Sequence, residues 1–160
     1  AKIFGISDQA VSLNFPPRDF QLLSDILLTA LSRLGAEGLR ALEGAGRDYG
    51  RQMAQKFLQA RGLDPDKTAF SELVAAFRQL MAHYNLQSAI VEGTEGPEFD
   101  FRIGYCTFKE VASSHPELVC QLHRHMIRGA AEAFFGPVKI TEEARMTEGE
   151  IACVYAIEKA

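Results

Sequence analysis

Tryptophan is absent from the 160 residues, cysteine occurs only three times, and no apolar run reaches the roughly 18 residues a membrane-crossing helix needs. A basic excess is missing too: 17 Lys and Arg face 21 Asp and Glu, for a net charge of −4. Non-specific nucleic-acid binding wants a basic stripe. The densest basic stretch, His123-Arg124-His125 with Arg128, reads as a solvated helix face. Neither a direct nucleic-acid contact nor a membrane partner is therefore expected. The first residues hold no long apolar stretch of the kind a secretory leader carries. Cys106, Cys120 and Cys153 are odd in number and far apart, which argues against a disulfide framework and for a reducing, cytoplasmic setting. Gly-rich phosphate loops, Gly-x-Ser-x-Gly elbows, His-Glu-x-x-His and Cys-x-x-Cys are all missing.

What is present is an ordinary globular composition, 47% hydrophobic and 24% charged, at a length that suits one domain over residues 1–160. The chain divides in texture into a helical part, 16–85, and an α+β part, 86–160, that carries all the cysteines. Val11, Leu13 and Phe15 alternate with polar residues as a short strand or arm, which Pro16-Pro17 ends. Phe20, Leu23, Leu27, Ala30, Leu31 and Leu34 then keep helical spacing, with Asp19 in the first turn and Gly35 as the stop. A second helix is predicted over 36–61, its inner stripe Leu39, Leu42, Gly46, Tyr49, Gly50, Met53 and Phe57. Gly46 and Gly50, four apart on that stripe, point to close approach of another helix. Asp64-Pro65-Asp66 is expected to cap a third helix with Phe70, Leu73, Val74, Phe77, Leu80, Met81 and Tyr84 inside.

After Asn85 the period changes. Strands are predicted over 88–92 and 98–105, joined by a turn at 93–97, with Phe99, Phe101 and Ile103 on the dry face. A short helix over 107–113 and a longer one from Pro116 to Phe135 follow. Val138, Ile140, Glu142 and Ala144 alternate as a third strand; Ile151, Cys153, Tyr155 and Ile157 do so as a fourth, with 147–150 as the hairpin turn. The expected fold is α+β: an antiparallel sheet of about four strands in two hairpins, with several helices packed on one side.

One constellation could carry chemistry. Cys106 falls where a strand hands over to a helix, Cys120 early in the long helix, and Cys153 in the last strand. Thiolates are soft ligands suited to zinc or iron–sulfur centres, which usually take four protein ligands. His123, three residues after Cys120 on the same helical face, is the economical fourth. The competing reading makes the cysteines small buried hydrophobes. His115 is expected at a helix cap, His83 at a helix end and His125 in solvent. Cys120 with His123 also permits a nucleophile–base pair, whereas adjacent Glu142 and Glu143 point to opposite faces and form no carboxylate pair.

Residues 98–158 resemble the C-terminal sensor domain of bacterial winged-helix transcriptional regulators, including the family of the SUF iron–sulfur biogenesis repressor. The stretches that carry the likeness are Gly104-Tyr105-Cys106-Thr107-Phe108-Lys109-Glu110-Val111-Ala112, His115-Pro116-Glu117-Leu118-Val119-Cys120 and Gly149-Glu150-Ile151-Ala152-Cys153-Val154-Tyr155. The resemblance implies that Cys106, Cys120 and Cys153 hold an iron–sulfur cluster. The chain departs from the family in having Cys106-Thr107 where Cys-Pro is usual, and its winged helix has no counterpart here. The second half is also similar to vinyl-reductase-like domains that bind small hydrophobic effectors. Their zinc-binding members place Cys120, Glu143 and Cys153 near ligand positions, with Met146 where a further cysteine would stand. A fainter likeness is to the aminothiazoline-carboxylate hydrolases.

The expected function is thus a sensor domain that holds an iron–sulfur cluster or zinc through Cys106, Cys120, Cys153 and His123, serving a transcriptional regulator as a homodimer. The first alternative is a metal-free pocket for a small hydrophobic effector, lined by Phe20, Phe57, Phe77, Met81 and Tyr84. The second is a Cys-dependent hydrolase.

Overall fold

A computed structural model describes residues 18–84, 88–92 and 98–160. The expected arm at 11–15, the Pro16-Pro17 break and the turn at 93–97 lie outside the described residues.

The chain is a mixed α+β fold with an antiparallel sheet. Helix α1 (Phe20–Arg33) begins where the Leu22 amide donates to the Asp19 carboxylate at 2.8 Å, so Asp19 is the N-cap rather than a first-turn residue. Helix α2 (Ala36–Arg61) ends on Gly62, whose φ of 65° is a left-handed cap. Helix α3 (Phe70–His83) starts after Ala69; the Asp64 side chain instead ties a preceding turn by accepting from the Asp66 amide and Lys67. The expected Asp64-Pro65-Asp66 cap is therefore corrected to a turn. Strands β1 (Ser88–Glu92) and β2 (Glu98–Ile103) lead to the short helix α4 (Lys109–Ser114). Helix α5 (Pro116–Phe135) opens on proline, which has no amide to leave unsatisfied. Strand β3 (Val138–Ala144), a 3-10 turn (Met146–Glu148) and β4 (Cys153–Lys159) finish the chain. Neighbours in the sheet run β1-β2-β4-β3.

Alternation in β2 builds the core. Phe99, Phe101 and Ile103 are buried while Glu98 and Arg102 face water. Phe77 of α3 inserts among Phe99, Phe101, Phe134 and Phe135, with ring centroids 5.5–5.9 Å apart. Each fully buried ring contributes about 1.5–3 kcal/mol, and such ring pairs add roughly 0.5–1.5 kcal/mol. Helices α3 and α5 thus cover one face of the sheet.

The pair α2 and α5 cross at backbone contact. A β-carbon on Gly46 would lie 2.6 Å from the Leu122 carbonyl oxygen. One on Gly50 would collide with the Met126 carbonyl, and one on Gly129 with that of Arg47. The two stripe glycines therefore serve helix approach, as their spacing suggested. Glu132 locks the same seam by accepting from Arg47 at 2.7 and 2.8 Å and from Arg51 at 3.2 Å.

Several expected inward side chains stand outside. On α1 only Leu28 is buried; Phe20, Leu23, Leu27 and Leu34 are more than half exposed. Tyr49 and Tyr84 are exposed as well. Periodicity marks an apolar stripe but not which neighbour it meets. Ile151 is 90% exposed and precedes β4, because the chain bends there before the sheet resumes.

Candidate functional site

The hand-over from β2 to α4, the first turns of α5, the 3-10 turn and the start of β4 enclose a cavity of about 400 Å³. Cys106, Cys120, Cys153 and His123 all line it. Ala112, Pro116, Val119, Met146 and Tyr155 supply apolar wall, and Lys109, Ser113 and Thr147 the polar rim.

Local structure places each sulfur. Antiparallel register sets Cys153 opposite Ile103, the last residue of β2. The chain then leaves the sheet through Gly104 and Tyr105, which puts Cys106 at the sheet end, where its carbonyl accepts from the Lys109 amide and starts α4. The Cys153 thiol accepts from the Met146 amide at 3.4 Å, and the Cys120 sulfur lies 3.7 Å from the Thr147 hydroxyl oxygen. The 3-10 turn therefore lies against two of the three sulfurs.

Burial keeps the Cys106 and Cys153 thiols protonated. Burial pushes Cys106 above the ordinary cysteine range, a hydrogen bond from the Phe108 backbone opposes it, and charge on Cys153 or Cys120 would push it further. Burial likewise raises Cys153, with the Met146 amide opposing and Cys120 adding to the rise. Cys106 thus feels both other sulfurs and Cys153 feels Cys120, as groups sharing one cavity must.

His123 is the buried polar side chain of this region, 5% exposed. Its ring stands edge-on to Phe108, centroids 5.2 Å apart, and its Nε2 has no hydrogen-bond partner. Desolvation holds its pKa down to about 4, so the imidazole is neutral at physiological pH. A neutral ring with a free nitrogen can act as a ligand, acceptor or donor.

A second cluster backs the cavity. Glu142, its side chain 9% exposed, accepts from Arg145 at 2.6 Å and lies 3.8 Å from Arg124. It pairs across the sheet with Tyr155, whose phenol is pushed up by burial first and by Glu142 second. This cluster was missed from sequence, although a carboxylate in the inward register of β3, among Val138, Ile140 and Ala144, was the visible signal.

The structure brings the four proposed sulfur and nitrogen ligands to one cavity, yet among the described residues no three His, Cys, Asp or Glu side chains meet closely enough to hold a single metal ion. Glu143 is exposed and not among the cavity-lining residues. The proposed apolar pocket is not assembled: Phe77 and Met81 are fully enclosed in the core, Phe57 packs against it, and Phe20 and Tyr84 are on the surface. His115 occupies the N-cap position of α5 but its side chain caps nothing; its Nε2 lies 3.9 Å from Asp25. His125, expected in solvent, is largely covered and lies 3.6 Å from Glu43. His83 stacks edge-on with Tyr84 at the end of α3.

No protein-family pattern and no curated protein sequence matches the chain. Solved structures share its fold. An H-NOX protein from S. oneidensis in the Fe(II)NO ligation state superposes with a TM-score of 0.55 at 16% identity, covering 95% of this chain and 82% of the other. A triple alanine mutant of an H-NOX protein from the same organism, in the Fe(II) ligation state, gives 0.55 and 16%, covering 95% and 79%. A trafficking protein particle complex subunit 3 from Naegleria fowleri, covalently bound to palmitic acid, gives 0.53 at 13%, covering 86% and 95%. At such identities the likeness is one of fold alone.

Proposed function

We propose that the chain is a sensor domain whose ligand occupies the sulfur-lined cavity, and that this ligand is an iron–sulfur centre held by Cys106, Cys120 and Cys153, with His123 as the fourth group. One observation carries the reading: four soft or borderline donors, spread along the chain from Cys106 to Cys153, line one cavity, and one of them is a buried imidazole with an unpartnered nitrogen. The sequence likeness around the three cysteines points the same way. A lone zinc ion suits the cavity less. Its sulfurs must meet around one point at about 2.3 Å each, and no three donors do so among the described residues. A polynuclear centre takes each thiolate on a separate iron and tolerates wider spacing. When bound, such a centre supplies sensitivity to oxidation, tuned by burial and nearby charge. Arg145 and Arg124 beside Glu142 leave one net positive charge, which offsets part of the negative charge of ionised thiols.

Anaerobic reconstitution with ferrous iron and sulfide tests this directly. Broad visible absorption is expected, lost in Cys106→Ala, Cys120→Ala and Cys153→Ala. A colourless protein that retains no iron rejects the proposal.

A small apolar effector in the same cavity is the second reading, favoured by its volume and largely apolar wall. The palmitic acid of one fold neighbour lends it a precedent in shape. Medium-chain fatty acids that raise the melting temperature of the iron-free protein would support it. A Cys-dependent hydrolase draws least support, because the Cys120 sulfur meets the Thr147 hydroxyl while His123 Nε2 has no hydrogen-bond partner, so the nucleophile–base contact is not made.

A further inference from the structure

Helix α1 carries an apolar face that nothing among the described residues covers. Phe20, Leu23, Ile26, Leu27 and Leu34 are each more than half exposed, with Leu22 at the edge. At 100° per residue they fall on one side of the helix, away from buried Leu28. Scattered exposed leucines need no explanation; a contiguous stripe of this kind does.

We infer that this face pairs with α1 of a second copy of the chain. Six side chains exposing on the order of 100 Å² each offer roughly 600 Å² per copy, so two copies would bury above the ~1,000 Å² that separates specific interfaces from incidental ones. Phe20, Leu23, Leu27, Ala30 and Leu34 repeat at intervals of three and four, the spacing with which one helix packs along another. A two-fold axis near Leu27 sets Phe20 against Leu34, Leu23 against Leu31 and Leu27 against itself. The same antiparallel arrangement carries Asp19 at one helix end towards Arg33 at the other end of the second copy, and opposes the helix dipoles. Arg33 borders the stripe beside Ile26 and Ala30, and a two-fold axis near Leu27 sets the two copies' Arg33 at opposite ends of the pair, so they do not meet.

The face is also wired to the cavity. Leu28, on the inner side of α1, packs on Ala112 and Val119, and both of these line the sulfur-bearing cavity. Pairing through α1 would therefore place the cavity wall one side chain from the interface, although the pairing itself does not depend on what the cavity holds.

Sedimentation equilibrium of the full chain over a hundredfold concentration range is the test, with Leu23→Glu and Leu27→Glu as interface variants. Tyr49→Glu, at an exposed position on α2, is the control. Circular dichroism confirms folding; the substituted side chains are exposed, so the fold should survive. The expected result is a reversible dimer whose dissociation constant rises at least a hundredfold in either leucine variant and is unchanged in the control. A monomer at every concentration, or a dimer that ignores both leucine substitutions, overturns the inference. So does a monomer that co-sediments with phosphatidylglycerol vesicles through the same leucines.

Discussion

Three glycines of helix α2 should respond to alanine in opposite directions, and the geometry sets the order. Helix propensity alone makes Gly→Ala favourable by about 1 kcal/mol at any mid-helix site. Gly44 has nothing within 4 Å of a new β-carbon, so Gly44→Ala should be stabilising by about that amount. At Gly46 the new carbon would lie 2.6 Å from the Leu122 carbonyl oxygen, against the 3.4 Å or more of ordinary contact. The obstacle is backbone, so α2 and α5 must part by most of an ångström. Overpacking of that degree costs about 1–3 kcal/mol, leaving Gly46→Ala destabilising by about 1 kcal/mol or somewhat more after the propensity gain. At Gly50 the collision with the Met126 carbonyl is deeper, and a net loss of about 3 kcal/mol or more is expected. For a chain of this length each kcal/mol moves the melting temperature by roughly 2–4 °C. Calorimetry should therefore rank the proteins Gly44→Ala above wild type, then Gly46→Ala, then Gly50→Ala. The last should also loosen α5, which carries Cys120 and His123, and so speed alkylation of Cys120. Equal stability of the Gly44 and Gly50 variants would refute backbone contact between α2 and α5.

Other outcomes follow from the site. His123 binds a proton more weakly in the folded protein, at about 4 against 6.5, so the unfolded chain takes up the proton first as pH falls. The metal-free protein should keep its full stability above pH 6.5 and lose roughly 3 kcal/mol between pH 6.5 and 4 from this group; urea melts of wild type and His123→Leu should differ in slope over that window, and parallel slopes would contradict a buried neutral imidazole. Raised thiol pKa values mean that iodoacetamide should label Cys106 and Cys153 more slowly at pH 7.5 than an exposed cysteine, with rates climbing as pH passes 9. Glu142→Gln should destabilise by about 1–3 kcal/mol, because it leaves Arg145 beside a neutral amide in a half-buried site; a neutral result by chemical denaturation would show the pair to be solvent-screened.

The helices and strands were legible because their signals are local. Alternation in β2, proline at the start of α5 and Gly62 and Gly136 at helix ends each act within a few residues. The role of Gly46 and Gly50 was legible for the same reason, since glycine on an apolar stripe has few other uses. The three cysteines with His123 could be grouped from chemistry and likeness, and they do line one cavity. Depth was not legible. Phe20 and Phe77 read alike as apolar stripe members, yet one is exposed and one enclosed, because the difference lies in which helix packs where. The ion pairs of Glu142 were not read from sequence: Arg124 lies on α5, Arg145 just past the end of β3, and the Tyr155 phenol faces Glu142 only across the sheet register.

Simultaneous protection of the thiols probes the shared cavity most sharply. Protein reconstituted anaerobically with iron and sulfide is alkylated under native conditions, and the modified cysteines are counted by mass spectrometry against the iron-free form. Cys106, Cys120 and Cys153 should all be shielded together and released together when the iron is chelated. Shielding of one or two alone, or labelling that is indifferent to iron, would mean that the three sulfurs do not hold a common centre.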